Sequence, residues 1–398
     1  MGKCGQFESV LGQLRILNAV DAENQQVHPD FSMLCNVALG DESGQGPLNR
    51  VIVQGDHVAV AVMHAIPSIE VVVQELAGRI ASITGVSGAD AESPSTVFVF
   101  APGTIAPGKI GWLTENHPDI RFAIHDPGNE ADQPLLAIGC EANPLAINRD
   151  LFDADVVLVL TSQDGHDGEV ESCGLYPALG SEAGQLHFEK QKSGKRSEDC
   201  RTVERCLGAN FVIAVTAGPG GIPDGVFAGI GNAVHEAVRT RVRESWTTNA
   251  ERDFDLIVVT IESPSGLGEW DGFRAALRIA CQHAGEHAPI VVICDIDHPP
   301  PDHVAHDFGL AMNDDDHASS VATRDVRESV GQRPVYLASG LDQQTVEDLG
   351  FGYLENSSEL GRLIKRLPNC GLIRDAHKCF SLTGSGSVGG QEPRPARR

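Results

Sequence analysis

Apolar residues recur along the chain in short, nearly unbroken runs rich in Val, Ile and Phe: RVIVQ (50–54), HVAVAVM (57–63), TVFVFA (96–101), RFAIH (121–125), DVVLVLT (155–161), NFVIAVTA (210–217), DLIVVTI (255–261), IVVICDI (290–296) and PVYLAS (334–339). Continuous rather than alternating runs predict strands buried on both faces of a sheet. Between them lie stretches with helical spacing of apolar positions, PSIEVVVQELAGRI (67–80), GIGNAVHEAVRTRVRESW (229–246), WDGFRAALRIACQHA (270–284) and SSELGRLIKRL (357–367). Strand and helix alternate, which predicts an α/β protein with helices layered on its sheets.

A chain of 398 residues exceeds one ordinary core, so two domains are expected. The polar stretch ESWTTNAERDFD (244–255) separates a long helix from a fresh strand and marks the boundary. Residues 1–248 then form an N-terminal α/β domain and 249–380 a C-terminal one. Residues 381–398 carry too few apolar groups to pack and are expected to be a disordered tail. The segment 297–320 is an acidic, proline-rich insertion containing His298, His303, His306 and His317 beside Asp314, Asp315 and Asp316. Its irregular spacing favours a solvated acidic loop over a metal site.

Charge narrows the partners. A formal net charge of −25 opposes binding to nucleic acid or an anionic membrane, both of which need a basic face. A small anionic molecule remains compatible, because a local pocket can oppose the global sign. No apolar run approaches the about 18 residues that a membrane span requires, and the N-terminal MGKCGQFESV lacks a secretory pattern, so the cytoplasm is the expected location. Ten cysteines without a Cys-x-x-Cys pair predict reduced, mostly buried thiols.

Residues 121–160 carry His125-Asp126, Ile138-Gly139, Asn143-Pro144, the triplet Ile147-Asn148-Arg149 and the strand ADVVLVL in that order. This stretch resembles the lactate racemase family that uses a nickel-pincer nucleotide. Further on, Phe227, Gly229 and His235 match the family's strand and helix, and residues 254–280 resemble the opening of its second domain; the likeness spans about residues 45 to 375. It implies a two-domain lactate racemase-like fold with an interdomain cleft. It also implies hydride abstraction from a 2-hydroxy acid, a cofactor held by a lysine and a nickel-ligating histidine, and two proton-shuttling histidines.

The family's chemical positions are only partly kept. Where it has Asp-x-Thr-Arg-Pro this chain has Met63, His64, Ala65, Ile66 and Pro67, and Ile105 and Ala106 replace its second loop's His and Arg. His166, followed by Asp167, stands where the remaining shuttle is expected, and His187 where the metal ligand is. No lysine lies between Asp167 and Phe188, so the resemblance implies a nickel-pincer nucleotide whose covalent tether this chain lacks. On the second-domain helix Trp270 and Arg274 replace the family's Tyr and Lys at the same spacing, four apart and therefore on one face.

The expected site thus has His166 and Asp167 as catalytic groups, Arg274, Trp270, His125, Asp126 and Arg149 around the substrate, and His187 towards a metal. His125-Asp126 reads equally as a strand end whose carboxylate bonds loop amides. If the pairs His125-Asp126 and His166-Asp167 do meet in a pocket, each carboxylate is expected to raise its histidine's pKa. Three functions follow in order: an isomerase of a small 2-hydroxy acid or related polar compound, a family member that kept anion binding and lost catalysis, and a nucleotide-binding hydrolase. Oligomeric state is open at this level.

Overall fold

The structure, a computed structural model, describes residues 3–17, 31–40, 47–85, 95–163, 174–219, 221, 223–248, 251–262, 269–301 and 330–380. The chain divides into two compact units, and the division falls between Val242 and Arg243. Residues 3–17 belong with the C-terminal unit, not with the N-terminal domain to which the sequence pattern assigns them. The reason is packing: helix α1 (Lys3–Leu11) places Cys4, Phe7 and Leu11 at helical spacing into the second core, and strand β1 (Arg15–Ile16) pairs with a C-terminal strand. The expected tail, residues 381–398, lies outside the described residues.

The unit that follows holds α2 (Phe31–Leu39) and a six-stranded sheet. Its strands β2 (Val58–Val62), β3 (Thr96–Phe100) and β4 (Arg121–Ile124) step outward in parallel. A small antiparallel pair, β5 (Leu135–Ile138) and β6 (Pro144–Ala146), then leads back. Strand β7 (Val156–Gln163) lies on the other side of β2, followed by β8 (Phe211–Ala217), with β9 (Pro223–Ile230) antiparallel at the edge. The sheet order is therefore β4-β3-β2-β7-β8-β9, and the topology reverses between β2 and β7.

Continuous apolar runs become central strands here because both faces are covered. All five residues of β2 and of β3 are buried. Helix α3 (Ile69–Thr84) lays Val72, Val73, Leu76 and Ile80 against Val58, Val60 and Val62. Each such side chain contributes about 1.5–3 kcal/mol by leaving water. One expected strand is absent. RVIVQ forms a 3-10 turn (Pro47–Arg50) and a bend in which Leu48 and Ile52 are buried while Val53 is 62% exposed, and the Val53 amide donates to Asp56 at 2.8 Å. Within the run only Ile52 and, partly, Val51 pack while Val53 faces solvent, too little to order a strand.

In the C-terminal unit β10 (Leu256–Ile261), β11 (Ile290–Cys294), β12 (Val335–Ala338), β13 (Gly352–Tyr353) and β14 (Cys370–Ile373) form a parallel sheet with order β1-β14-β10-β11-β12-β13. Here too β10 and β14 meet where the topology reverses. Strands β8 and β9 pair antiparallel, and Gly221 between them is in left-handed conformation (φ 70°).

Candidate functional site

In an open α/β sheet ligands collect outside the carboxyl ends of the strands. His125 leaves the carboxyl end of β4, and its backbone amide still donates to Phe100 of β3. The side chain is 3% exposed. Its Nε2–H donates to the Gly180 carbonyl at 2.9 Å, and its Nδ1 accepts from the Asn148 amide at 3.2 Å. Asn148 is oriented by a backbone donor, since Asp150 N–H binds its Oδ1 at 3.0 Å. These partners select the neutral imidazole. Burial lowers the His125 pKa, against smaller raising effects of the Gly180 carbonyl and Asp126. Asp126 does raise it, as expected, but desolvation of the buried ring outweighs the exposed carboxylate and the net shift is downward.

Only glycine fits at position 180, because a Cβ would lie 2.9 Å from the Tyr176 ring. The close approach brings the 180 carbonyl onto His125. Asp126 is exposed and its Oδ1 accepts from Gly128 N–H at 3.0 Å, an Asx turn, while its carbonyl accepts from Gln133 Nε2 at 2.8 Å.

Beside this turn lies a cavity of about 180 Å³ that brings His125, Asp126 and Arg149 together with Arg121, Asn148 and Asp150. Arg149 opens the short helix α5 (Arg149–Phe152) and is half-exposed. Its Nη2 donates to the Ala131 carbonyl at 2.8 Å, and its Nε stands 3.9 Å from Asp132. Arg121 pairs with Asp150 at 2.5 Å. Arg121 is the contributor that sequence reading missed; as the first residue of an expected strand it carried no motif.

At the reversal point between β2 and β7, His64 Nδ1 and Thr161 Oγ1 are 2.7 Å apart. Sequence reading placed His64 only at the unspecified second position of the family's Asp-x-Thr-Arg-Pro loop. The structure makes it an exposed imidazole at the crevice position of the fold.

His166 and Asp167 lie outside the described residues, as do His303, His306, His317 and Asp314–Asp316. Trp270 and Arg274 share the buried face of α10 (Glu269–His283) in the C-terminal unit. Trp270 stacks edge-on against Phe273 and donates to the His298 carbonyl at 3.2 Å, while Arg274 pairs with Asp271 at 2.9 Å. At the reversal point of that unit Arg374 is held by Glu8 and Glu262 at 2.5 and 2.9 Å. His187 sits on the helix Glu182–Lys190 with its Nε2 buried and, among the described residues, without a hydrogen bond.

The residues present do not fit a covalently held nickel-pincer nucleotide. The sequence holds no lysine between Asp167 and Phe188, where the resemblance places the tether. No described helix is long and apolar enough to cross a membrane.

No protein-family model matches the chain, and no curated protein matches it. Among solved structures it is similar to the lactate racemase apoprotein from Thermoanaerobacterium thermosaccharolyticum, with 13% identity, a TM-score of 0.57, and coverage of 88% of this chain and 92% of that one. A protein from Thermotoga maritima matches at 14% identity over 80% of this chain and 91% of its own, with a TM-score of 0.48. The fold is thus α/β and lactate racemase-like.

Proposed function

We propose that this chain binds a small 2-hydroxy acid or related carboxylate in the cavity beside β4, gripped by Arg149 and Arg121, on a lactate racemase-like fold that has lost the covalent pincer chemistry. The observation that carries the reading is that Arg121 and Arg149 both line one 180 Å³ cavity, beside Asp126, Asp132 and Asp150, in a chain whose formal net charge is −25. Guanidinium makes forked, charge-assisted bonds to carboxylates. Arg149 is open to such a ligand, since its carboxylate neighbour is 3.9 Å away and exposed pairs of this kind contribute little. His125 positions Asn148 and the turn, and Asp126 and Asn129 at the rim can accept or donate to a ligand hydroxyl.

A second reading, isomerisation of the bound hydroxy acid with His166 and Asp167 as acid and base, is favoured by the likeness to a lactate racemase apoprotein. Calorimetric titration of the purified protein with D- and L-lactate at low ionic strength tests the first reading. Saturable binding that weakens at least tenfold in Arg149→Ala, at unchanged melting temperature, is expected. Absence of binding by any small 2-hydroxy acid, or native-like binding by Arg149→Ala, overturns it. Chiral chromatography of the same mixtures tests the second reading: lactate interconversion that disappears in His166→Ala establishes it.

A further inference from the structure

A different cavity, of about 190 Å³, opens at the carboxyl ends of β2 and β3. Its walls are aliphatic and aromatic: Val62, Ile66, Ile69, Phe100 and Ile105. Its rim carries Ala106 and Lys109, in the first turn of the helix α4 (Pro107–Asn116), and Ala65, which like Ala106 is exposed, so the cavity communicates with solvent. A buried void of about 150 Å³ with such walls is large enough to take up benzene. Here the same kind of space is open and has one cation at its edge.

We propose that this cavity binds a short branched aliphatic carboxylate, with the hydrocarbon against Ile66, Ile69 and Phe100 and the carboxylate on the Lys109 ammonium. Lys109 donates to Glu70 at 2.8 Å, and both side chains are partly exposed. An ammonium has three N–H donors, so two stay available to a ligand oxygen while the first holds Glu70. The uncapped first turn of α4 adds the positive end of its dipole on the same side. Glu70 tempers this field and so sets how strongly an anion is held. The cavity shares no lining residue with the one containing Arg149.

The inference is independent of the hydroxy-acid reading and is tested by titrating the full-length protein with isovalerate, propionate and isovaleramide. Each CH2 group moved from water into the cavity changes affinity about fourfold, so propionate is expected to bind roughly 15-fold more weakly than isovalerate. The neutral amide and the Lys109→Ala variant are each expected to lose about tenfold or more. Glu70→Gln should tighten isovalerate and leave isovaleramide unchanged. Ala106→Phe, at an exposed position where it does not disturb the core, should fill the mouth and abolish binding. Ala106→Phe should leave lactate binding in the cavity beside β4 as in the native protein, which keeps the two cavities distinguishable. No saturable isovalerate binding, equal affinity for propionate, or native-like binding by both Ala106→Phe and Lys109→Ala overturns the proposal.

Discussion

His125 and His64 leave the carboxyl ends of parallel strands in one sheet, with β3 between them, yet their chemistry diverges. His125 is covered by the Gly180 turn and by Asn148, both ring nitrogens are committed, and burial pushes its pKa down. His64 is exposed and touches the Thr161 hydroxyl across the point where the sheet reverses. Strand-end position alone therefore does not make a histidine a reagent. What decides is the segment that arrives later in the chain to cover it. At β4 the cover turns the histidine into scaffold, and on the proposed function the adjacent Arg149 and Arg121 are the groups that grip the ligand.

The largest effect expected from this contrast is on stability. His125→Ala leaves the Gly180 carbonyl without its main donor and opens a void, and should cost about 3 kcal/mol. His64→Ala should change stability by no more than about 0.5 kcal/mol. Urea unfolding of the two variants measures both, and equal losses would dissolve the distinction.

The pH dependence comes next. The folded-state pKa of His125 lies below its unfolded value, so the unfolded chain binds the extra proton. Stability is then full above the ordinary imidazole value of about 6.5 and falls as pH drops from there through the folded pKa. His283 acts in the same direction, being buried with Nδ1–H donating to the Glu251 carbonyl at 2.6 Å and Nε2 accepting from Thr248 at 2.8 Å. Urea midpoints between pH 5 and 8 should show this slope, reduced in His125→Gln.

A smaller effect separates turn from site. Asp126→Asn keeps a side-chain oxygen for Gly128 N–H and should leave stability within about 0.5 kcal/mol of native, while Asp126→Ala should lose about 1 kcal/mol. Thermal denaturation of the pair checks this.

The fold was largely legible because Val- and Ile-rich runs such as HVAVAVM and DVVLVLT are buried on both faces, and that condition writes itself into composition. RVIVQ misled because Val53 faces solvent and only Ile52 and, partly, Val51 pack. The helix Ser193–Leu207, SGKRSEDCRTVERCL, was not legible, its apolar positions being few. Nor was α1's place in the second unit, which depends on β1 pairing with a strand more than 300 residues away. At the site, sequence singled out His125, Asp126 and Arg149, which do line one cavity. Their division of labour was hidden, because it depends on Gly180, on which the motif is silent, on the orientation of Asn148, which the motif contains but does not place, and on a burial penalty that no local pattern records.

The most direct test of the account is nuclear magnetic resonance of arginine Nε–H and histidine ring signals during a titration with lactate. The account predicts saturable shifts at Arg149 and Arg121, with His125 remaining the neutral Nε2–H tautomer throughout. Shifts confined to Arg274 or His64, or a His125 ring that becomes protonated as ligand binds, would contradict it.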